Sequence, residues 1–256
     1  KGPFAGYHND RDGMLVVISK HLDGAERLFE NSQRSDMDDK YLETASRAVW
    51  HEAKELAEEY GVKNSQVTVL APTGTISFLM DCDTTGVEPE LALIKYKKLV
   101  GGGTLKLVNS QVPIALRRLG YLNEEADAIS EYMLDKETIE GAPYLKEEHL
   151  PIFDCSFKAS NGSRSISYMG HIKMMAAAQP FISGAISKTI NLPADATVED
   201  IEDVFFQGWR LGLKALAVYR DGCKSIQPLN TTNNEQSTMN NEQLVEKING
   251  YTRIKL

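Results

Sequence analysis

Cysteine is scarce in this chain of 256 residues: only Cys82, Cys155 and Cys223 occur, an odd number at wide separation. That pattern excludes both a disulfide framework and a CxxC zinc or redox pair, and it fits a reducing, cytoplasmic compartment. Basic residues are also in short supply, with 28 Lys and Arg against 36 Asp and Glu, a net charge of −8 and a pI near 5.2. Proteins that live on duplex nucleic acid carry basic surfaces, so direct nucleic-acid binding is not expected. No apolar run approaches the ~18 residues of a membrane span. The first residues, Lys1–Tyr7, lack the apolar core of a signal peptide. A starting Met is missing too, and Asn230–Asn241 is a polar stretch with too few apolar residues to fold. The chain is therefore expected to be a piece of a longer polypeptide. What remains is 42% hydrophobic and 25% charged, an ordinary globular composition that can bury a sizeable core in one large domain or two smaller ones.

Apolar residues at three- and four-residue spacing (Met14, Ile18, Leu22, Ala25, Phe29) predict a first helix with Asp12 as its cap. A second is predicted from about Asp39 to Tyr60, with Leu42, Ala45, Val49, Ala53, Leu56 and Ala57 on one face and Gly61 as its stop. The period then changes. Gln66–Leu70 reads as a buried strand leading into the turn Ala71–Ser77. Helical patterns recur near Asn109–Leu119, Asn123–Leu134 and Met169–Ala178, and Thr197–Asp200 reads as a capping box opening a helix through Trp209 to Leu213. Gly184–Asn191 and Lys214–Tyr219 are further strand candidates. Strands alternating with helices predict an α/β fold with parallel pairing.

The segment most suggestive of chemistry is Ala71–Ser77. A Thr-Gly-Thr turn after a strand brings backbone N–H groups and two hydroxyls to one point, which is a cradle for phosphate if a helix begins there. The same residues also suit a tight turn with Thr75 or Ser77 as helix cap, and the sequence leaves both open. The P-loop lysine is missing, which excludes a Walker-type nucleotide hydrolase. Gly101–Gly103 reads as a flexible turn, and Asp81, Asp83 and Glu88 as solvated acids or caps rather than metal ligands. His171, on a methionine-rich helix, reads as a hydrogen-bonded core or surface residue. Lys188 lies among small residues in a predicted strand. It either points to solvent or, facing inward, needs an anionic partner.

Five segments taken together carry a family resemblance: Ala71–Phe78, Asp81–Pro89, Lys95–Gly103, Gln179–Asn191 and Tyr219–Lys224. In this order they closely resemble the adenosylcobalamin (vitamin B12)-dependent, class II ribonucleotide reductases, over nearly all of residues 1–229. The resemblance implies the C-terminal half of a ten-stranded α/β barrel over residues 1–229, a polar linker over 230–243 and the start of a further segment over 244–256. It implies that Pro72, Thr73, Gly74, Thr75 and Ile76 bind the diphosphate group of a ribonucleotide substrate; the sequence leaves di- and triphosphate substrates open, and the resemblance favours diphosphates. Adenosylcobalamin is the implied cofactor of the complete enzyme, and the rest of the reductase polypeptide and a second copy in a homodimer are the implied partners. In the family's reaction a thiyl radical abstracts the ribose 3′-hydrogen, the 2′-hydroxyl leaves as water, and a cysteine pair is oxidised. The family's Asn-x-Cys-x-Glu loop is absent around Cys82, Cys155 and Cys223. The resemblance therefore places the radical cysteine and its glutamate upstream of Lys1, and no catalytic residue within this chain. Ala215 and Leu216 stand where class I enzymes carry two adjacent radical-relay tyrosines. The alternatives are a degenerate or stand-alone nucleotide-phosphate-binding module, or one subunit of a split reductase.

Overall fold

A computed structural model of the chain describes residues 2–32, 40–98 and 104–223. Two amphipathic helices open it, α1 (Arg11–Ser32) and α2 (Lys40–Tyr60), packed against each other. The cap of α1 falls on Asp10 rather than Asp12: the Asp10 carbonyl accepts the Met14 N–H at 3.0 Å, and Asp12 lies inside the first turn. Gly61 ends α2 at φ +76°, with the Tyr7 ring so close that a Cβ there would stand 2.8 Å from it. A short helix, α3 (Gly74–Leu79), follows.

The strands depart most from expectation. Within Gln66–Leu70 only Leu70 pairs, through a single parallel bridge to Ile186, flanked by Gly184 N–H to Thr68 O and Ser187 N–H to Leu70 O, both 2.9 Å. The parallel sense is as expected, but the burial is not, since Val67 and Val69 are 70% and 57% exposed. A parallel strand is buried only when strands or helices cover both of its sides. The later strands are shorter than their patterns, β3 (Thr189–Leu192) and β4 (Ala217–Arg220), and they pair with each other. Between these regions lies an unexpected antiparallel pair, β1 (Ile94–Lys98) with β2 (Thr104–Val108), in the register Ile94 to Val108 and Lys98 to Thr104. Gly101–Gly103 lie outside the described residues, as does everything from Lys224 onward, including the expected linker and final segment. Among the described residues the four strands form two separate pairs, and a half-barrel of parallel strands is not among them.

The remaining helices match their patterns: α4 (Gln111–Arg118), α5 (Asn123–Lys136), α6 (Tyr168–Ala178) and α7 (Val198–Arg210). Thr197 and Asp200 form the expected capping box of α7, each side chain bonded to the other's backbone N–H.

The chain divides into two compact units. The first comprises Lys1–Glu88, Ser167–Ile190 and Ala196–Tyr219; the second comprises Pro89–Ile166, Asn191–Asp195 and the described residues from Arg220. The second is centred on an apolar cluster that includes Leu116, Ile129, Met133 and Phe153. The first buries Ala25, Ile172, Met175, Ile186 and Val204.

Candidate functional site

The turn singled out by the sequence lies wholly in the first unit, and its geometry begins at Thr73. This residue has φ +50°, a left-handed conformation unusual for a β-branched side chain, which costs on the order of 1–3 kcal/mol. Its own hydroxyl and carbonyl help to hold it there. Thr73 Oγ1 accepts the Gly86 N–H at 2.7 Å and shares a hydrogen bond with Ser77 Oγ at 2.9 Å, and Thr73 O accepts the Ser77 N–H at 2.7 Å. Gly86 is itself at φ +55°, and a Cβ on it would stand 2.6 Å from the Ala71 carbonyl oxygen, so only glycine fits there.

Because α3 begins at Gly74, the cap position belongs to Thr73, not to Thr75 or Ser77. Ser77 is buried beneath the turn, while Pro72, Thr75 and Ile76 are exposed. A Cβ on Gly74 would meet nothing within 4 Å, so the space beside it is open. Helix geometry leaves the N–H groups of Gly74, Thr75 and Ile76 without intrahelical acceptors. One hydroxyl of the Thr-Gly-Thr triplet thus braces the turn, while the other belongs to the exposed residue Thr75.

Glu88, grouped by sequence with Asp81 and Asp83 as a solvated acid or cap, instead accepts from an inward-facing lysine. Lys188 is 3% exposed, and its Nζ donates to Glu88 Oε2 and to Thr189 O, both at 2.9 Å. Glu88 Oε1 accepts the Thr189 N–H at 2.6 Å. Burial pushes the Lys188 ammonium below the usual lysine range, against the opposing pull of Glu88. Among the described residues no cluster of His, Cys, Asp and Glu is suited to a metal ion.

His171 also lies in this unit, on α6. It is 1% exposed, and neither ring nitrogen has a hydrogen-bond partner among the described residues. Burial first, and the Lys188 ammonium second, push the imidazole down to about 4, so the ring is neutral at pH 7. The expected hydrogen-bonded histidine is instead His21. In its neutral form Nδ1–H donates to Pro180 O at 2.6 Å, Ser183 Oγ donates to Nε2 at 2.7 Å, and the ring stacks on Trp50 at 4.5 Å. Nothing in the sequence around His21 signals this role, because its hydrogen-bond partners lie more than a hundred residues away.

Each unit also holds a cavity. That in the first, about 300 Å³, lies along α1, α2 and Gly61–Val67; that in the second, about 40 Å³, lies around Met133, Ile139 and Phe153. Neither fits a corrin, and His21, the histidine that borders the first, has both nitrogens engaged. Cys82 and Cys223 are exposed and Cys155 is buried, all three as free thiols. No described helix is long and apolar enough to cross a membrane.

Comparison with known proteins matches residues 1–219 to the barrel domain of ribonucleotide reductase. The chain is 53% identical over 235 residues to a vitamin B12-dependent ribonucleotide reductase of Rhodopirellula baltica, covering 92% of this chain and 22% of that protein. It is 47% identical over 254 residues to one from Streptantibioticus cattleyicolor, covering 99% of this chain and 41% of that protein. A vitamin B12-dependent ribonucleoside-diphosphate reductase of Mycobacterium tuberculosis is 33% identical over 169 residues, covering 66% of this chain and 23% of that protein. Among solved structures, the alpha subunit of the Actinobacillus ureae class Id ribonucleotide reductase aligns with a TM-score of 0.46 and 17% identity, over 86% of this chain and 38% of that one. The chain thus spans less than half the length of these relatives, and four of the five segments that carried the resemblance, Ala71–Phe78 to Gln179–Asn191, fall inside the matched region, while Tyr219–Lys224 begins at its last residue. With 219 of its residues accounted for by one domain model, the chain belongs to the ribonucleotide reductase family, as part of its barrel domain.

Proposed function

We propose that this chain is the C-terminal part of the barrel of a vitamin B12-dependent ribonucleotide reductase, which converts ribonucleotides to deoxyribonucleotides for DNA synthesis. The observation that carries the reading is the 53% and 47% identity, over more than nine tenths of the chain, to proteins of that name. Residues 1–229 would belong to the ten-stranded α/β barrel, with 230–243 as a linker to the segment that begins at 244. Adenosylcobalamin, bound elsewhere in the complete enzyme, would supply the radical chemistry. Neither cavity described above fits it, and the radical cysteine and its glutamate would belong to other parts of the enzyme.

This chain's own contribution would be the binding of the substrate's diphosphate at Pro72–Ile76. Three features support that role: the open space beside Gly74, the exposed Thr75 hydroxyl and the bracing of Thr73 from below. The unengaged N–H groups and the Thr75 hydroxyl would donate to phosphate oxygens. The relative named as a ribonucleoside-diphosphate reductase favours diphosphates as substrates.

The test uses the full-length enzyme with a ribonucleoside diphosphate. Thr75→Val removes a donor and keeps the shape. Loss of one charge-assisted hydrogen bond, about 1.5–3 kcal/mol, should weaken diphosphate binding roughly 10- to 150-fold. Gly74→Val should do more harm, because its side chain would occupy the phosphate's space. Unchanged affinity in both variants would remove the turn from the substrate site. Failure of the full-length protein to form any deoxyribonucleotide with cobalamin and a dithiol would overturn the reductase reading itself.

A further inference from the structure

We propose that Lys188 is a positioning residue for the phosphate-binding turn, acting on it through Glu88. The inference rests on the assignment of Pro72–Ile76 as that turn. Lys188 does not touch the turn; a short relay of bonds connects them. The buried ammonium holds Glu88 Oε2 at 2.9 Å, and the other Glu88 oxygen is fixed by the Thr189 N–H at 2.6 Å. Lys188 Nζ also grips the Thr189 carbonyl, so both backbone polar groups of Thr189 and both oxygens of Glu88 belong to one clamp. Two residues before Glu88, Gly86 donates its N–H to Thr73 Oγ1 and lies close against the Ala71 and Pro72 carbonyls. Glu88 N–H is itself tied to the Thr85 carbonyl at 3.0 Å, which makes Thr85–Glu88 a tight turn with little freedom to slide.

Thr73 needs such an anchor. Its left-handed backbone is unfavourable for threonine, and the Gly86 bond is one of the three that hold it. If Glu88 is released, Gly86 can move, and Thr73 can relax toward an ordinary conformation that re-aims the N–H groups of Gly74 and Thr75. A lysine buried to this extent is costly to desolvate, and a surface location would serve net charge equally well. Its retention here is explained by the geometry it imposes on the 71–88 segment.

The test measures equilibrium binding of a ribonucleoside diphosphate, and of the corresponding unphosphorylated nucleoside, to the full-length protein without cobalamin. Lys188→Met keeps the length of the stem and removes the charge. It should weaken diphosphate binding about tenfold or more while leaving nucleoside binding unchanged, and Lys188→Arg should restore most of the loss. Because Lys188→Met strands the Glu88 charge, the double variant Lys188→Met with Glu88→Gln tests the same point without a buried unpaired ion. It should melt near the parent temperature and still bind the diphosphate weakly. Parental diphosphate affinity in either variant would overturn the positioning role. So would an equal loss for nucleoside and diphosphate, which marks general damage to the fold. The outcomes for Gly74→Val separate this proposal from the one beneath it. Weak binding in Gly74→Val with normal binding in Lys188→Met would discard only the relay, whereas normal binding in both would discard the turn as well.

Discussion

Single residues in the first unit carry charge and strain that only the three-dimensional arrangement explains. His171 is the sharpest case. Its folded pKa lies near 4, below the ordinary histidine value of about 6.5, so the unfolded chain takes up a proton first as pH falls. Stability attributable to His171 is therefore intact above about pH 6.5 and is lost progressively down to about pH 4, by on the order of 1 kcal/mol per pH unit. His171→Leu should flatten this slope and, by removing two buried unpartnered nitrogens, leave the protein at least as stable at pH 7.5. Thermal midpoints of parent and variant between pH 4 and 8 check it; parallel curves would show that the slope arises elsewhere. Lys188 shows how far sequence reading reaches at this scale. A lysine among small residues in a strand pattern already implied an anionic partner if it faced inward. Its partner, Glu88, stands a hundred residues earlier, and no local pattern names it. Thr73 was read as one of two donors to phosphate, and its inward role was invisible because it depends on Gly86 folding back over Ala71 and Pro72.

Among the elements, helices were the most legible and strands the least, for a physical reason. A helix satisfies its own backbone, so spacing and caps suffice to define it, and α2 and α7 begin and end within a residue or so of their signals apart from the last turn of α7. A strand depends on whichever segment lies beside it. Gln66–Leu70 has strand composition but one bridge, and β1 and β2 alternate charged and apolar residues around three glycines, a hairpin signal that was read only as a turn. The capping box of α7 is directly testable. Thr197→Ala should cost about 1 kcal/mol and speed hydrogen exchange in the first turn of α7. Unaltered exchange there would mean that packing alone sets the start of this helix. Gly86→Ala should be more damaging than a cap loss, since its Cβ would collide with a carbonyl at 2.6 Å rather than with a movable side chain. The measurement is the thermal midpoint, and an unchanged value would show that the 71–88 loop adapts.

For the whole chain, the family was legible from five ordered segments, whereas the half-barrel expected from it does not emerge from the described strands. The apolar surface is where that difference shows. Phe205, Phe206 and Trp209 on α7 and Leu42, Val49 and Leu56 on α2 stand exposed, as do Val67 and Val69. Expressed alone, the 256-residue chain should self-associate and bind an apolar dye, as large exposed apolar patches do. A sharp monomeric sedimentation peak with a cooperative melt would contradict this. The order in which the chain visits its two units has a consequence for synthesis. The first unit takes residues up to Glu88, gives way to the second, resumes at Ser167, breaks again after Ile190 and closes only with Tyr219. A ribosome therefore releases α1, α2 and the Pro72–Ile76 turn long before α6, α7 and Lys188 exist to complete the unit, and the nascent first segment must wait, open, while the intervening unit is made. Lys188 and Thr189, which hold Glu88, are among the late arrivals, so the 71–88 segment emerges with the local bonds of Thr73 available but without the Glu88 ion pair.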